Sequence, residues 1–177
     1  MRSGIGPQPH LGELDVDVVL DLPGVGQNLQ DHAAASVVYR STRALPPAAS
    51  GHGEVLGLLR SNAALDTPDL QILCIDVPLS VPSLPGPDQG YSLLVSLMAP
   101  QSRGSVQLHS AEPQAAPVLN PNYLSDRRDI DALVAGVDLA RAARVRTGLS
   151  SARSGRTIPT SSSQRRSAPH SRATGGS

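Results

Sequence analysis

A chain of 177 residues is long enough for one domain of ordinary size, and its composition limits what kind of protein it is. Its only cysteine, Cys74, excludes an intramolecular disulfide and a cysteine-based zinc cluster. Fifteen arginines balance 15 acidic residues, but every acid lies within residues 1–138. The sequence has no apolar run long enough for a membrane span and no signal-peptide pattern, so we expect a cytoplasmic protein without a membrane partner.

The first third of the chain predicts two strands, a loop and a helix. An apolar run at residues 16–20 ends at a turn rich in proline and glycine, which is typical of a short strand. A run of β-forming residues at 36–39 predicts a second strand. Residues 45–53 are rich in alanine, proline and glycine and indicate a loop, whereas residues 54–60 predict a short helix.

A buried strand and a hairpin are predicted in the middle of the chain. From residue 70 to residue 77 both alternating faces are apolar, as in a strand at the centre of a sheet. Residues 91–98 and 104–109 predict two further strands, and the turn-forming residues 100–103 between them favour a hairpin. We therefore expect a largely antiparallel sheet.

The clearest helix signal begins near residue 126, where either Ser125 or Asp126 can cap the first turn. Asp126 and Asp129 also suit the positive end of a helix dipole. Strands followed by a helix predict an α+β fold, with a mixed, largely antiparallel sheet and helices on one face. The buried face of the helix is expected to consist of Ile130, Leu133, Val134, Val137 and Ala140.

The last residues of the chain differ in composition from the rest. From residue 144 onward there are nine serines, seven arginines and no acid, with few large aliphatic residues to build a core. A disordered basic tail is one interpretation, and an altered reading frame in GC-rich coding DNA is the one that we favour. Because no aromatic residues alternate with the arginines for base stacking, we expect no nucleic-acid partner.

A polar loop holds the main candidate site residues, Asn28, Gln30, Asp31 and His32. A carboxylate can orient an imidazole and raise its basicity, which makes His32 beside Asp31 a candidate catalytic base. The alternative, which we favour, is a junction in which these side chains form hydrogen bonds to loop backbone groups. No catalytic residue is assigned on this pattern alone.

Other reactive side chains have simpler interpretations. Asp15, Asp17 and Asp21 lack the spacing of a calcium loop, so they predict a solvated strand face and no metal site. Ser150 and Ser151 have no GxSxG context, which excludes a nucleophile elbow. Cys74 lies among apolar neighbours and is expected to be an inert buried thiol.

Five short blocks occur in a fixed order along the chain: SGIGP at 3–7, DLPGVGQNLQDH at 21–32, SRG at 102–104, NPNYLS at 120–125 and DIDALVAGVDLAR at 129–141. Together and in this order, they resemble the glucose-methanol-choline (GMC) oxidoreductases, flavoproteins that oxidise alcohols. The resemblance covers residues 3–144.

The resemblance implies a parent enzyme that oxidises a primary, choline-like alcohol, with a histidine as base and hydride transfer to FAD. In this family a GxGxxG turn holds the FAD pyrophosphate, and a histidine in a C-terminal segment acts near the flavin. Neither motif occurs in these 177 residues. We therefore expect a fragment that is inactive alone, with the end of a flavin domain at 1–32, a partial substrate domain at 33–144 and a tail at 145–177.

The resemblance also assigns the junction residues Asn28, Gln30, Asp31 and His32 to cofactor binding in the parent enzyme. It implies FAD as the cofactor and a small-molecule alcohol as the substrate. An alternative function is that of a non-catalytic interaction protein, which uses the isolated sheet and the basic tail to bind a partner.

Overall fold

A computed structural model describes residues 1–42, 44–45, 51–81, 83–147 and 157–160, and it confirms the α+β fold. Two helices and nine strands are present within these residues. In chain order they are β1 Ile5–Gly6, α1 Gln8–Glu13, β2 Leu20–Asp21, β3 Ala34–Arg40, β4 Gly53–Leu59, β5 Leu70–Ile75, β6 Gly90–Leu97, β7 Ser105–Gln107, β8 Val118–Asn120, α2 Arg127–Thr147 and β9 Thr157–Thr160.

The main sheet has five strands in the order β4-β5-β6-β3-β9, and each pair of neighbours is antiparallel. The strand predicted around residues 70–77 is confirmed as β5, which lies between β4 and β6. The strands predicted at 36–39 and 91–98 are confirmed as β3 and β6, which pair along their whole lengths. Two-sided apolar patterning therefore identified an interior strand correctly.

The helix predicted at residues 54–60 is wrong, because this segment is strand β4. Its backbone pairs with β5 from Leu59 opposite Leu70 to Val55 opposite Cys74, with a bulge before Val55. The leucine-rich sequence has only a weak intrinsic preference, and the hydrogen bonds offered by the neighbouring strand decide its conformation. Cys74 itself is half-buried rather than buried.

The predicted hairpin between residues 91–98 and 104–109 is also wrong. Strand β7 pairs with β8 in a separate two-stranded antiparallel sheet, with Val106 opposite Leu119. Gly104 allows this arrangement, since a Cβ atom there would lie 2.1 Å from the Asn120 carbonyl oxygen. The strand predicted at 16–20 is reduced to β2, whose two residues pair in parallel with β1.

Helix α1 was not predicted from the sequence. Two prolines, Pro7 and Pro9, lie at the start of this helix. Proline is tolerated in a first helical turn because the amides there have no partner within the helix. Leu11 is the fully buried residue of this helix. The Asp21 carboxylate accepts a hydrogen bond of 2.9 Å from the Gln8 amide, which ties the start of α1 to β2.

Helix α2 packs against β3, β5 and β6 on one face of the main sheet, as predicted. The predicted apolar face is correct for Leu133, Val137 and Ala140, which are buried, but Ile130 and Val134 are exposed. The buried side of the helix instead includes Ala132 and Gly136, whose small size brings the helix close to the sheet. A contact face built on small residues carries little hydrophobic signal, which is why the pattern placed the face wrongly.

Two aspartates organise the start of α2. Asp129 is 2% exposed, and its carboxylate accepts hydrogen bonds from the backbone amides of Gln101 and Ser102 at 2.7 and 2.8 Å. Asp126 accepts the Arg128 amide, which confirms it as a helix cap. The Arg128 guanidinium also bonds to Asp126 and lowers the pKa of that carboxyl to about 2.

Parts of two predictions fall outside the described residues. The predicted loop at 45–53 includes residues 46–50, and the predicted disordered tail at 145–177 includes 148–156 and 161–177. Within that tail, residues Thr157–Thr160 form strand β9, which pairs with β3 from Val37 to Ala34.

Candidate functional site

The face of the main sheet opposite α2 has an unusual set of polar side chains. Residues directly opposite each other in an antiparallel pair share a face, and the register places Ser36 opposite Leu94 and Ser96 opposite Gln71. Ser92 lies on the same face, two residues before Leu94. We call this surface, defined by Ser36, Ser92 and Ser96, the serine face.

The hydroxyls of the serine face differ in their partners. Ser92 donates to the Val77 carbonyl oxygen at 2.9 Å and accepts the Leu79 amide at 2.7 Å, so it holds the segment after β5 over one end of the face. Ser36 is fully buried, and its hydroxyl has no hydrogen-bond partner among the described residues. A buried hydroxyl without a partner is costly and calls for a ligand group or another polar atom beside it.

The junction residues Asp31 and His32 lie where β3 begins and β6 ends, and Asp31 contacts Tyr123 from the loop before α2. The Asp31 carboxylate accepts hydrogen bonds from the Tyr123 hydroxyl and from the His32 backbone amide, the latter at 2.8 Å. The Tyr123 hydroxyl, followed by the His32 amide, lowers the pKa of the Asp31 carboxyl below its usual value. The carboxylate is thus held in its ionised form by neutral donors.

The His32 imidazole does not bond to Asp31. Its Nδ1 atom lies 2.7 Å from the carbonyl oxygen of Leu97, the last residue of β6. The arrangement expected of a carboxylate-oriented base, with Asp31 bonded to the His32 ring, is therefore not what the structure contains. At Asp31 and His32 the junction is a hydrogen-bonded loop, and the assignment of the four junction residues to a cofactor site stays a prediction.

Asn28 and Gln30 are exposed on the same loop, and Asn28 has a left-handed backbone with φ of 63°. Neither side chain meets Asp31 or His32 in the hydrogen bonds described above. Among the described residues, no group of three or more histidine, cysteine, aspartate or glutamate side chains is placed to hold a metal ion. Asp21, one of the aspartates considered for such a site, bonds to α1 instead.

Comparison with known proteins decides the family. A family model described as GMC oxidoreductase matches residues 100–174. The chain is 36% identical to a GMC-type oxidoreductase of Mycobacterium tuberculosis over 82% of this chain and 32% of that protein. It is 33% identical to choline oxidase of Arthrobacter globiformis over 80% of this chain and 27% of that enzyme. The chain belongs to the GMC oxidoreductase family.

Solved structures support the membership of this chain in the GMC oxidoreductase family. Pyridoxine 4-oxidase from Mesorbium loti superposes with a TM-score of 0.77 at 31% identity, over 82% of this chain and 30% of that one. A formate oxidase of Aspergillus oryzae, studied for FAD modification, has the same fold with a TM-score of 0.65 at 23% identity, over 79% of this chain and 33% of that one. The chain spans about a third of the length of the curated relatives it matches.

FAD is the cofactor of this family, but the glycine-containing segment at the start of this chain does not fit its pyrophosphate. The segment at 4–7 resembles a phosphate loop only in having two glycines before a helix. A Cβ at Gly4 would lie 2.3 Å from the Asp17 carbonyl oxygen, so the space beside this glycine is filled by protein. The first amide of α1 already bonds to the Asp21 carboxylate, which would repel a phosphate.

The sequence motif ending at His32 located the junction, but no pattern in the sequence predicted the role of Tyr123 or the serine face. Tyr123 is one of only three aromatic residues in the chain, a signal that pointed to it without indicating its partner. The serines occupy alternating positions on predicted strands, and strand pairing was needed to bring them together. No helix within the described residues is both long and apolar enough to cross a membrane.

Proposed function

We propose that this chain forms the substrate side of an FAD-dependent oxidoreductase that acts on the CH–OH group of a small alcohol. The observation that carries the proposal is the serine face, with the buried hydroxyl of Ser36 at its centre. A hydroxyl both donates and accepts hydrogen bonds, so it suits the oxygen of an alcohol. The choline oxidase and pyridoxine 4-oxidase to which the chain is similar support a primary alcohol as the substrate.

The division of the sheet into two different faces supports the same role. Helix α2 and its aliphatic contacts cover one face, which gives the sheet a rigid backing. The opposite face has the Ser36 and Ser96 hydroxyls and the Gln71 amide at fixed positions on strands, a more precise support for ligand contacts than a loop. On this account the sheet binds and orients the alcohol, whereas FAD supplies the redox chemistry.

The same proposal places Asn28, Gln30, Asp31 and His32 beside the cofactor in the complete enzyme. These residues are exposed here, so they are accessible to a neighbouring part of the protein. Because the glycine-containing segment at the start of this chain does not fit the pyrophosphate, we propose that the 177-residue chain alone neither holds FAD nor oxidises an alcohol.

A chimera tests the role of the serine face. The aligned segment of Arthrobacter choline oxidase is replaced by the matching residues of this chain, and flavin absorbance and alcohol-dependent hydrogen peroxide formation are measured. We expect the chimera to keep its flavin and to oxidise a small alcohol. Within it, Ser36→Ala is expected to lower kcat/KM about fivefold, the loss of roughly one hydrogen bond.

Ser125→Ala is the matched control, since Ser125 is exposed in the loop before α2. This variant is expected to have the kcat/KM of the chimera. A chimera that binds flavin but oxidises no alcohol would contradict the proposed function. An unchanged kcat/KM in Ser36→Ala would contradict the role of this hydroxyl.

A further inference from the structure

The His32 ring is held at one nitrogen and open at the other. A backbone carbonyl oxygen only accepts hydrogen bonds, so the contact of 2.7 Å with Leu97 requires a proton on Nδ1. In a neutral imidazole the other nitrogen then carries the lone pair. The residue is exposed, and no described side chain is bonded to Nε2.

We propose that His32 is a ligand-binding residue that presents Nε2 as a hydrogen-bond acceptor, and that Tyr123, acting through Asp31, is the residue that positions it. The ligand is a group with an O–H or N–H donor. The proposal rests on the proposed function, in which this junction lies beside the cofactor and the alcohol. Among the four junction residues assigned to cofactor binding, the proposal selects one ligand-binding atom, Nε2 of His32, and adds Tyr123 as the residue that positions it.

The position of His32 depends on two anchors from different parts of the fold. Leu97 ends β6, and its amide also donates to the Ala33 carbonyl oxygen, so this part of the sheet is fixed beside the ring. Asp31 fixes the backbone at His32 by accepting its amide, and Tyr123 fixes Asp31. The Asp31 carboxylate is therefore occupied by protein donors and is not the group offered to a ligand.

Tyr123 lies in the hydrogen-bonded region at the start of α2. In that region the Ser102 hydroxyl accepts the Asp126 amide at 3.1 Å, and Asp129 holds the Ser102 amide. Because Tyr123 donates to Asp31, its hydroxyl holds the exposed junction at a fixed place relative to the helix and the sheet. Loss of its hydroxyl should free Asp31 and, with it, the backbone that sets the His32 ring.

The tautomer of His32 is measured on the chain itself by ¹⁵N NMR of the imidazole at a pH where the ring is neutral. We expect the signals of a protonated Nδ1 and an unprotonated Nε2. A ring that is mainly protonated on Nε2 would overturn the proposal. Because no flavin or substrate is present, this result does not depend on whether the proposed function is correct.

Tyr123→Phe tests the positioning role, with Tyr91→Phe as the control that removes a hydroxyl from the α2 side of the sheet. In Tyr123→Phe we expect the ratio of Nδ1-protonated to Nε2-protonated ring to fall about fivefold, and the pKa of Asp31 to rise toward its usual value. Tyr91→Phe should change neither. A wild-type tautomer ratio and an unchanged Asp31 pKa in Tyr123→Phe would overturn the role of Tyr123.

Discussion

Replacing Asp129 with alanine is expected to lower the free energy of unfolding by about 2–5 kcal/mol. The carboxylate is buried and accepts the amides of Gln101 and Ser102, so its removal leaves two backbone donors without partners near the start of α2. A buried donor without a partner costs roughly 1–3 kcal/mol, which applies in full to the Ser102 amide and in part to the half-buried Gln101 amide. Urea denaturation followed by circular dichroism measures the effect.

Asp131→Ala is the matched control for this prediction. Asp131 lies two residues further along α2 and forms an exposed ion pair with Arg127 at 2.8 Å. Exposed pairs contribute little, so we expect a change within about 0.5 kcal/mol. Both variants exchange an aspartate for alanine in the same helix, so their difference isolates the buried contacts. Equal stability of the two variants would contradict the anchoring role of Asp129.

Gly136→Ala is expected to destabilise the protein by about 1–3 kcal/mol, although alanine is the better helix former. A Cβ atom at this position would lie 2.6 Å from Val95 Cγ1 and 3.0 Å from Leu70 Cδ1. Val95 and Leu70 are fully buried in the sheet, so neither side chain has room to move away. The helix must shift away from the sheet, and thermal unfolding measures the loss.

Gly12→Ala makes the same chemical change in the other helix, and here we expect stability to rise rather than fall. Gly12 lies in α1, and a Cβ atom added there would have no neighbouring atom within 4 Å. Without a steric cost, the helix propensity of alanine should raise stability by about 0.5 kcal/mol. A Gly136→Ala variant that gains stability as Gly12→Ala does would contradict the close packing of α2 on the sheet.

The parts of the fold that were predicted correctly are those whose signal is local. Strand β5 was identified because both of its faces are apolar, and α2 because Asp126 precedes a long stretch of helix-forming residues. Strand β4 and the pairing of β7 with β8 were not, because both depend on partners distant in the sequence. The contact between Gly136 and the sheet could not be predicted either, because glycine adds nothing to the hydrophobic pattern that marks the buried face of a helix.

The candidate site shows the same limit. The motif that ends at His32 located the junction, and the adjacency of Asp31 made a direct bond between carboxylate and ring one of two interpretations, the less favoured one. In the structure the Asp31 carboxylate is bonded to Tyr123, whereas the His32 ring is bonded to Leu97. These two contacts span 92 and 65 residues of sequence. Neighbours in sequence are thus bonded to different partners in space, and only the fold reveals which.

We propose that this chain supplies the alcohol-binding sheet of a GMC oxidoreductase without holding FAD by itself. The most direct measurement is the flavin content of the purified 177-residue chain after incubation with FAD and desalting, followed by an assay for alcohol-dependent dye reduction. We predict no flavin absorbance and no dye reduction with choline or another primary alcohol. One bound flavin per chain, together with turnover, would contradict the claim.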